Sequence, residues 1–498
     1  MKQLHLGNIA NVAYGYAKVL RQFGRDADVL CYDLADPISQ PEWYEADVPS
    51  ADPVRALVEA AAGSFPQPQP PDWYRRVRSA DGPGPDEAEA GTIGEDWTQA
   101  LVRFSRRFGD RWAVTEEDVG KFRPLAEMLA GRFFGPYDVI FGYAYAAVPP
   151  LLDSRTPFVP VEIGTMREVV FREDSLGRLL ALAYRAAPHV VITNPDVRHA
   201  ADELGLEHTT FVPHPIDEDV WRPAQDEAAR RALLAEYGAD ALLIAPARQN
   251  WRLKGNDTCL RAVADLVREG LNVRLIAMAW GQEVERSRRL ARDLGLDRHV
   301  VWLDPVPEKV LIRLYQAADL VLDQFGYCGT FGLITPKAMA CGTPVVLAYD
   351  PSAHDWLGWE HPPVVHAGSA SEVAGAVRHY LAHPDERRDL GRRSRDWILA
   401  HHSKRVIDAR LGSVLEEVFE AGGWRDSLAA SLKQKRLELA YEAPQAETYD
   451  DAYHSDAATR RMDDLLVGLL RRHLDAAGVA APRILDAVSY THLRAHET

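Results

Sequence analysis

The stretch DQFGYCGTFGLITPKAMACGTPVV, residues 323–346, decides the fold. It reads as a strand end, a glycine-rich turn, a helix, a tight turn and a second strand. Leu320, Val321 and Leu322 form the apolar run that enters the turn. Gly326, Gly329 and Gly332 leave backbone N–H groups uncovered, and a helix is expected over residues 333–340. Gly342 ends it as a C′ glycine. Val345, Val346 and Leu347 then read as a buried strand. A glycine-rich turn feeding a helix N-terminus suits an anion, because unpaired N–H groups and the helix dipole point the same way. A ligand-free βαβ turn carries the same glycines, so the turn alone leaves both readings open.

Working outward, the second half of the chain alternates strands and helices. Residues 241–245 form an apolar strand that ends at Pro246-Ala247-Arg248. Lys254-Gly255-Asn256-Asp257 opens a helix with Leu260, Val263, Leu266 and Val267 on one face. Strands over 273–279, 300–303 and 320–322 follow, with a helix over 308–316 between the last two. Such alternation means a parallel sheet covered on both faces. The first half reads similarly, with strands over 4–7, 27–31, 137–140, 157–161 and 190–193. The first helix is expected over 9–20, with Ala10, Ala13 and Ala17 along its packed side. Residues 36–118 break the pattern with Pro/Gly/acid-rich runs and read as an irregular insertion with a few helices. Strand ends carry function in such sheets, so Tyr143, Glu162, Thr165 and Arg167 are acceptor-side candidates.

FGLITPKAMACGTPVV resembles the sugar-nucleotide signature of family-4 glycosyltransferases. The resemblance implies the GT-B fold: α/β, two Rossmann-like domains whose parallel sheets face across a cleft. VPHPIDEDVW, residues 212–221, resembles that family's interdomain strand. The implied divisions are 1–213 for the first domain and 214–395 for the nucleotide-sugar domain. Closing helices over 396–422 return to the first domain, and a linker covers 423–446. The implied reaction moves a sugar from a nucleotide diphosphate donor to an unknown acceptor, with no metal and no cofactor required for the transferase. Two rival readings stay open: another GT-B enzyme such as a nucleotide-sugar epimerase, or an inactive sugar-nucleotide binder.

Arg248 and Lys254-Gly255 match the family's Arg…Lys-Gly pair and are the implied catalytic cations. Charge builds on the departing diphosphate as its bond to the sugar breaks. Cations placed there stabilise the transition state more than the ground state. The implied donor contacts are Gly7, Asn8, Gly255, Gly329, Thr330, Phe331, Gly332, Leu333 and Lys337. Two departures stand out. The family's paired glutamates fall here on Gly329 and Lys337. The second glutamate binds ribose hydroxyls, and a lysine can only donate, so Lys337 is expected to meet a phosphate oxygen instead. Relatives also carry a His just after the strand matching Asp138-Val139-Ile140, where this chain has Phe141, Gly142 and Tyr143.

At 498 residues the chain needs two or three cores. Its 47% hydrophobic and 26% charged content is that of a soluble globular protein. No run of apolar residues is long enough for a transmembrane helix. MKQLHLGNIANV at the start lacks a signal-peptide core. Cys31, Cys259, Cys328 and Cys341 form no CxxC or zinc spacing, so free thiols and a cytoplasmic location are expected. A net charge of −16 argues against nucleic acid as a partner. Peripheral membrane contact and oligomeric state stay open.

Residues 447–487 depart from the GT-B pattern. An amphipathic helix through Met462, Leu465, Leu466, Leu469 and Leu470 precedes Ile484-Leu485-Asp486. That order resembles the start of an S-adenosylmethionine-dependent methyltransferase, yet the cofactor loop does not follow. The cofactor is therefore expected only in a longer protein, and no methyl transfer is expected from this chain. VSYTHLRAHET, residues 488–498, looks like a translated sequencing adapter and is expected to carry no fold.

Overall fold

The structure is a computed structural model that describes residues 1–32, 39–46, 68–77, 95–153, 156–225, 227–326 and 329–419. The linker, the methyltransferase-like segment and residues 488–498 lie outside the described residues.

Two parallel sheets carry the chain. The first contains β1 (Lys2–Leu6), β2 (Asp26–Tyr32), β3 (Tyr74–Val77), β4 (Val139–Tyr143), β5 (Phe158–Glu162), β6 (Val190–Ile192) and β7 (Thr209–Phe211). Their order is β3-β2-β1-β4-β5-β6-β7. The second contains β8 (Ala241–Ala245), β9 (Val273–Met278), β10 (Val300–Leu303), β11 (Leu320–Leu322), β12 (Val345–Leu347) and β13 (Val365–His366). Its order is β10-β9-β8-β11-β12-β13. β5 and β8 are buried along their whole length, which is why they read as unbroken apolar runs rather than alternating ones.

In each sheet the chain winds outward one way and then restarts on the other side. The reversals fall between β1 and β4 and between β8 and β11. Beyond the carboxyl ends of such strands a crevice opens, and ligands bind there. The loops at those ends carry Gly7, Arg248 and the glycine turn after Asp323.

The helices used below are α1 (Val12–Gln22), α2 (Pro41–Tyr44), α3 (Glu308–Ala317), α4 (Ile334–Ala340), α5 (Ala370–Ala382), α6 (Pro384–His401) and α7 (Lys404–Phe419). Cores form on both faces of each sheet. Helix α7 returns to the first domain: Ile407, Leu411, Val414 and Leu415 join the core beneath α1, and Arg25 pairs with Asp408. The break before this return falls at His402–Ser403, because α6 runs unbroken past residue 395. Among the described residues no helix is long and apolar enough to cross a membrane.

Three local expectations are corrected. The strand expected over 137–140 is β4, so Phe141, Gly142 and Tyr143 lie within it and not after it. Gly142 does not end the strand; a Cβ there would come within 2.7 Å of the Ala147 backbone, so the glycine permits a close crossing. Within the span read as an irregular insertion, Tyr74–Val77 is an edge strand of the first sheet. The first α-helix starts at Val12, because Ala10 and Asn11 adopt φ of +50° and +60°.

Candidate active site

The second domain supplies two loops that interlock. The loop after β8 ends in Gly255 at φ +60°, and a Cβ there would lie 2.7 Å from the Phe325 carbonyl carbon. In return, a Cβ on Gly326 would meet the Arg252 carbonyl oxygen at 2.5 Å. Two glycines thus let the backbones touch, and the Phe325 N–H donates to the Lys254 carbonyl at 2.9 Å. The Lys254 ammonium donates to Gln324 Oε1 at 2.6 Å. The other end of that amide donates to the Thr330 carbonyl. One glutamine therefore ties the lysine to the glycine turn.

Further bonds hold the first loop. Gln249 is buried and donates to the Met278 carbonyl at 3.0 Å. The Asn250 side chain caps the short helix Trp251–Lys254 through the Leu253 N–H at 3.0 Å. Arg248, by contrast, is exposed, and its guanidinium makes no ion pair or hydrogen bond among the described residues. Such a group is available to an anionic ligand.

Beneath the turn sits Asp323, fully buried. Burial pushes its carboxyl up, while the Lys254 charge and a 2.7 Å bond from Thr335 Oγ1 work against that rise. The N–H groups of Thr330, Phe331 and Gly332 donate no hydrogen bond among the described residues. Thr330 and Phe331 are themselves buried, so the turn presents backbone rather than side chains. The helix that follows, α4, has only 7 residues. Its dipole is correspondingly small, and the side-chain cations must supply most of the positive field.

Gly329 lies against Asp350: a Cβ at Gly329 would come 2.8 Å from the Asp350 Cβ, and Asp350 N–H donates to the Gly329 carbonyl at 2.6 Å. A glutamate at this position would collide with Asp350. Leu333 reaches across to the core of the first domain.

Lys337 does not meet the expectation of a phosphate contact. Its ammonium is engaged by the Glu308 carboxylate, and both side chains are largely buried. The rings of Trp221 and Tyr44 lie 4.7 and 5.3 Å from the same ammonium. Burial pushes the Glu308 carboxyl up, and Lys337 and the Tyr44 hydroxyl oppose that. A lysine held this way is committed to structure. Tyr44 belongs to α2, so this pair also anchors a first-domain segment to the second domain.

On the first-domain side, Gly7 has φ +85°, and a Cβ there would strike the Ala146 Cβ at 2.8 Å. Asn8 is buried and fully used. Its amide donates to Asn11 Oδ1 at 2.8 Å and to the Ser39 carbonyl at 2.7 Å, and accepts from Tyr14 N–H at 2.9 Å. These bonds hold the shape of the loop after β1. Among the described residues, the non-glycine residues with positive φ are Ala10, Asn11 and Ala144. All three sit at the neighbouring ends of β1 and β4. Strain of that kind gathers where a loop is held for function.

The acceptor-side candidates divide. Tyr143 is buried, and its hydroxyl lies 2.7 Å from His5 Nδ1. Glu162 is buried too, bonded by the N–H of Gly164 and the Asn194 amide. Neither side chain is exposed to solvent. Thr165 and Arg167 are partly exposed. Thr165 lies 3.1 Å from the Tyr184 hydroxyl, and Arg167 makes a two-point pair with Asp196 at 2.5 and 2.7 Å. Arg167's charge reaches His214 on the interdomain segment.

A group of histidines escaped the sequence reading. His214, His354 and His402 are buried, each with an Nδ1 that has no partner among the described residues. The His354 and His402 rings lie 5.2 and 6.4 Å from Phe331, behind the glycine turn. Burial holds His214 down at about 3 and His354 at about 4, and His402 lies well below its usual value. All three are neutral at pH 7. They are far apart in sequence, so no local pattern could have assembled them.

The domains touch at several points around the cleft. Arg252 pairs with Glu168 at 2.6 Å, and Trp356 Nε1 donates to the Pro195 carbonyl at 2.9 Å. Trp356, Leu357 and Trp359 pack against the first domain's core.

Comparison with known proteins agrees with this layout. Residues 226–397 match the family described as Glycosyl transferases group 1. A D-inositol 3-phosphate glycosyltransferase of Catenulispora acidiphila is 37% identical over 225 residues, 42% of this chain and 48% of the relative. A protein of the same description from Corynebacterium jeikeium is 35% identical over 171 residues, 32% of this chain and 40% of the relative. The chain thus spans less than half the length of these curated relatives. Among solved structures, Anabaena HepE in complex with UDP and glucose aligns with TM-score 0.57 at 16% identity, covering 83% of this chain and 99% of that one. Sucrose-phosphate synthase from Thermosynechococcus elongatus aligns with TM-score 0.57 at 16% identity, covering 86% of this chain and all of that one (100%). The two-domain α/β architecture is that of the GT-B fold, and residues 226–397 match the group 1 glycosyltransferase family.

Proposed function

We propose that the chain is a glycosyltransferase that moves a sugar from a nucleoside diphosphate donor to an acceptor. One observation carries the reading: Lys254, tied through Gln324 to the glycine turn, stands on the same loop as Arg248, whose guanidinium has no partner among the described residues. The donor's diphosphate would lie against these cations and the free N–H groups of the turn. As the bond between the anomeric carbon and the phosphate oxygen breaks, the electron pair stays on that oxygen. Arg248 and Lys254 stabilise the charge as it grows. Lys254, held by Gln324, and Arg248, which is exposed, can meet this charge without a metal.

The relatives' names support glycosyl transfer, and the UDP and glucose bound in the Anabaena structure support a nucleotide-sugar donor and make UDP the first probe. Cys259 and Cys341 are buried free thiols, which supports the reading of a reducing, cytoplasmic setting. Titration with UDP and other nucleoside diphosphates tests the proposal. At least one should bind, with affinity that falls as salt rises. Failure of every nucleoside diphosphate to bind would remove it.

A further inference from the structure

We propose that His379, His383 and Glu386 form a binding site for a zinc-class divalent metal at the corner between α5 and α6. His379 lies in the last turn of α5, His383 is the residue that joins the helices, and Glu386 lies in the first turn of α6. One ligand atom from each lies within 4.8 Å of the others. None of the three belongs to the donor site.

The local geometry explains why these groups meet. His383 caps the break between the helices with non-helical angles (φ −123°, ψ 71°), so the three side chains meet at a corner of the chain and not along one helical face. His379 Nε2 lies 2.9 Å from Glu386 Oε2. His383 Nδ1 lies 2.8 Å from the His379 carbonyl oxygen and must donate to it, so Nε2 keeps its lone pair. A backbone partner on the far ring nitrogen is also what orients metal-bound histidines. The two rings lie face to face, centroids 4.4 Å apart at 27°.

Two imidazoles and a carboxylate suit zinc better than magnesium or calcium, which prefer all-oxygen shells. Metal–ligand bonds of about 2.0–2.2 Å bring the ligand atoms closer together than they stand here. Rotation of the side chains supplies that movement, since His379 and Glu386 are 46% and 58% exposed. Nearby positive charge is already occupied: Arg387 pairs with Asp319 at 2.9 Å, and Arg388 pairs with Asp385. A bound metal, with water in its fourth position, would fasten the end of α5 to the start of α6.

The test is isothermal titration of the full chain, without a histidine tag and stripped with EDTA, using zinc chloride and then magnesium chloride. His379→Ala and His383→Ala should each abolish one zinc per chain that the parent binds. Glu386→Gln should weaken it by ~10-fold or more, the scale for loss of a supporting ligand. Magnesium should not compete. Zinc should also raise the melting temperature of the parent but not of His379→Ala. Equal zinc titrations for the parent and the His379→Ala/His383→Ala double variant, whether both bind or neither does, would overturn the proposal.

Discussion

Lys337 and Glu308 form an ion pair inside the second domain, with side chains only 14% and 7% exposed. Removing one partner of such a pair strands a buried charge. Lys337→Ala should therefore lower stability by about 3–5 kcal/mol, while Lys337→Met with Glu308→Leu should recover most of the loss. Lys337→Glu places there the residue usual in the signature that this stretch resembles but sets it beside Glu308, so it should destabilise as well. Urea unfolding of the four proteins decides the matter. A Lys337→Ala variant as stable as the parent would show that the pair contributes nothing.

The buried histidines make stability depend on pH. A neutral histidine held at about 3 in the folded state, as His214 is, has an ordinary value of 6.5 when unfolded. Between those values the unfolded chain binds the extra proton, so stability is present above 6.5 and falls as pH falls. The slope is about 1.4 kcal/mol per pH unit per group. His214→Asn should lose about 2 kcal/mol less than the parent between pH 7 and pH 5. Raised carboxyls such as Glu162, Glu308 and Asp323 act with the opposite sign and are common to both proteins. Parallel stability–pH curves for the two would contradict this account.

The interlocked loops predict a cost for Gly255→Ala that reaches activity. A Cβ there both strains φ and separates Gly255 from Phe325. Gly24 provides a control, with φ +78° and nothing within 4 Å. Both alanine variants should lose roughly 1 kcal/mol or more of stability. Only Gly255→Ala should slow release of nucleoside diphosphate from a donor, although Arg248 and Lys254 remain. Equal activity in the two variants would mean that the loop contact is not needed for the chemistry.

Much of this was legible because glycine and apolar patterning report backbone demands directly. The turn at Gly326, Gly329 and Gly332 and the Arg248…Lys254-Gly255 loop were read from sequence, and the structure packs them together. The edge strand Tyr74–Val77 was hidden because two of its four residues are arginines and proline-rich sequence precedes it. Glu308 was invisible as Lys337's partner, since the pair is 29 residues apart and no spacing rule joins α3 to α4. Tyr143 and Glu162 were placed at strand ends correctly enough to seem exposed to the cleft. Which way a side chain turns at a strand end depends on its partners, here His5 and Asn194.

The central claim is that Arg248 and Lys254 stabilise charge on a departing nucleoside diphosphate. The most direct measurement is release of nucleoside diphosphate from a panel of nucleotide sugars by the parent, Arg248→Ala and Lys254→Ala. At least one donor should be cleaved by the parent, and each variant should turn it over ~10²-fold or more slowly, the scale for losing one transition-state donor, with folding intact. No release from any donor, or equal rates in parent and variants, would contradict the account.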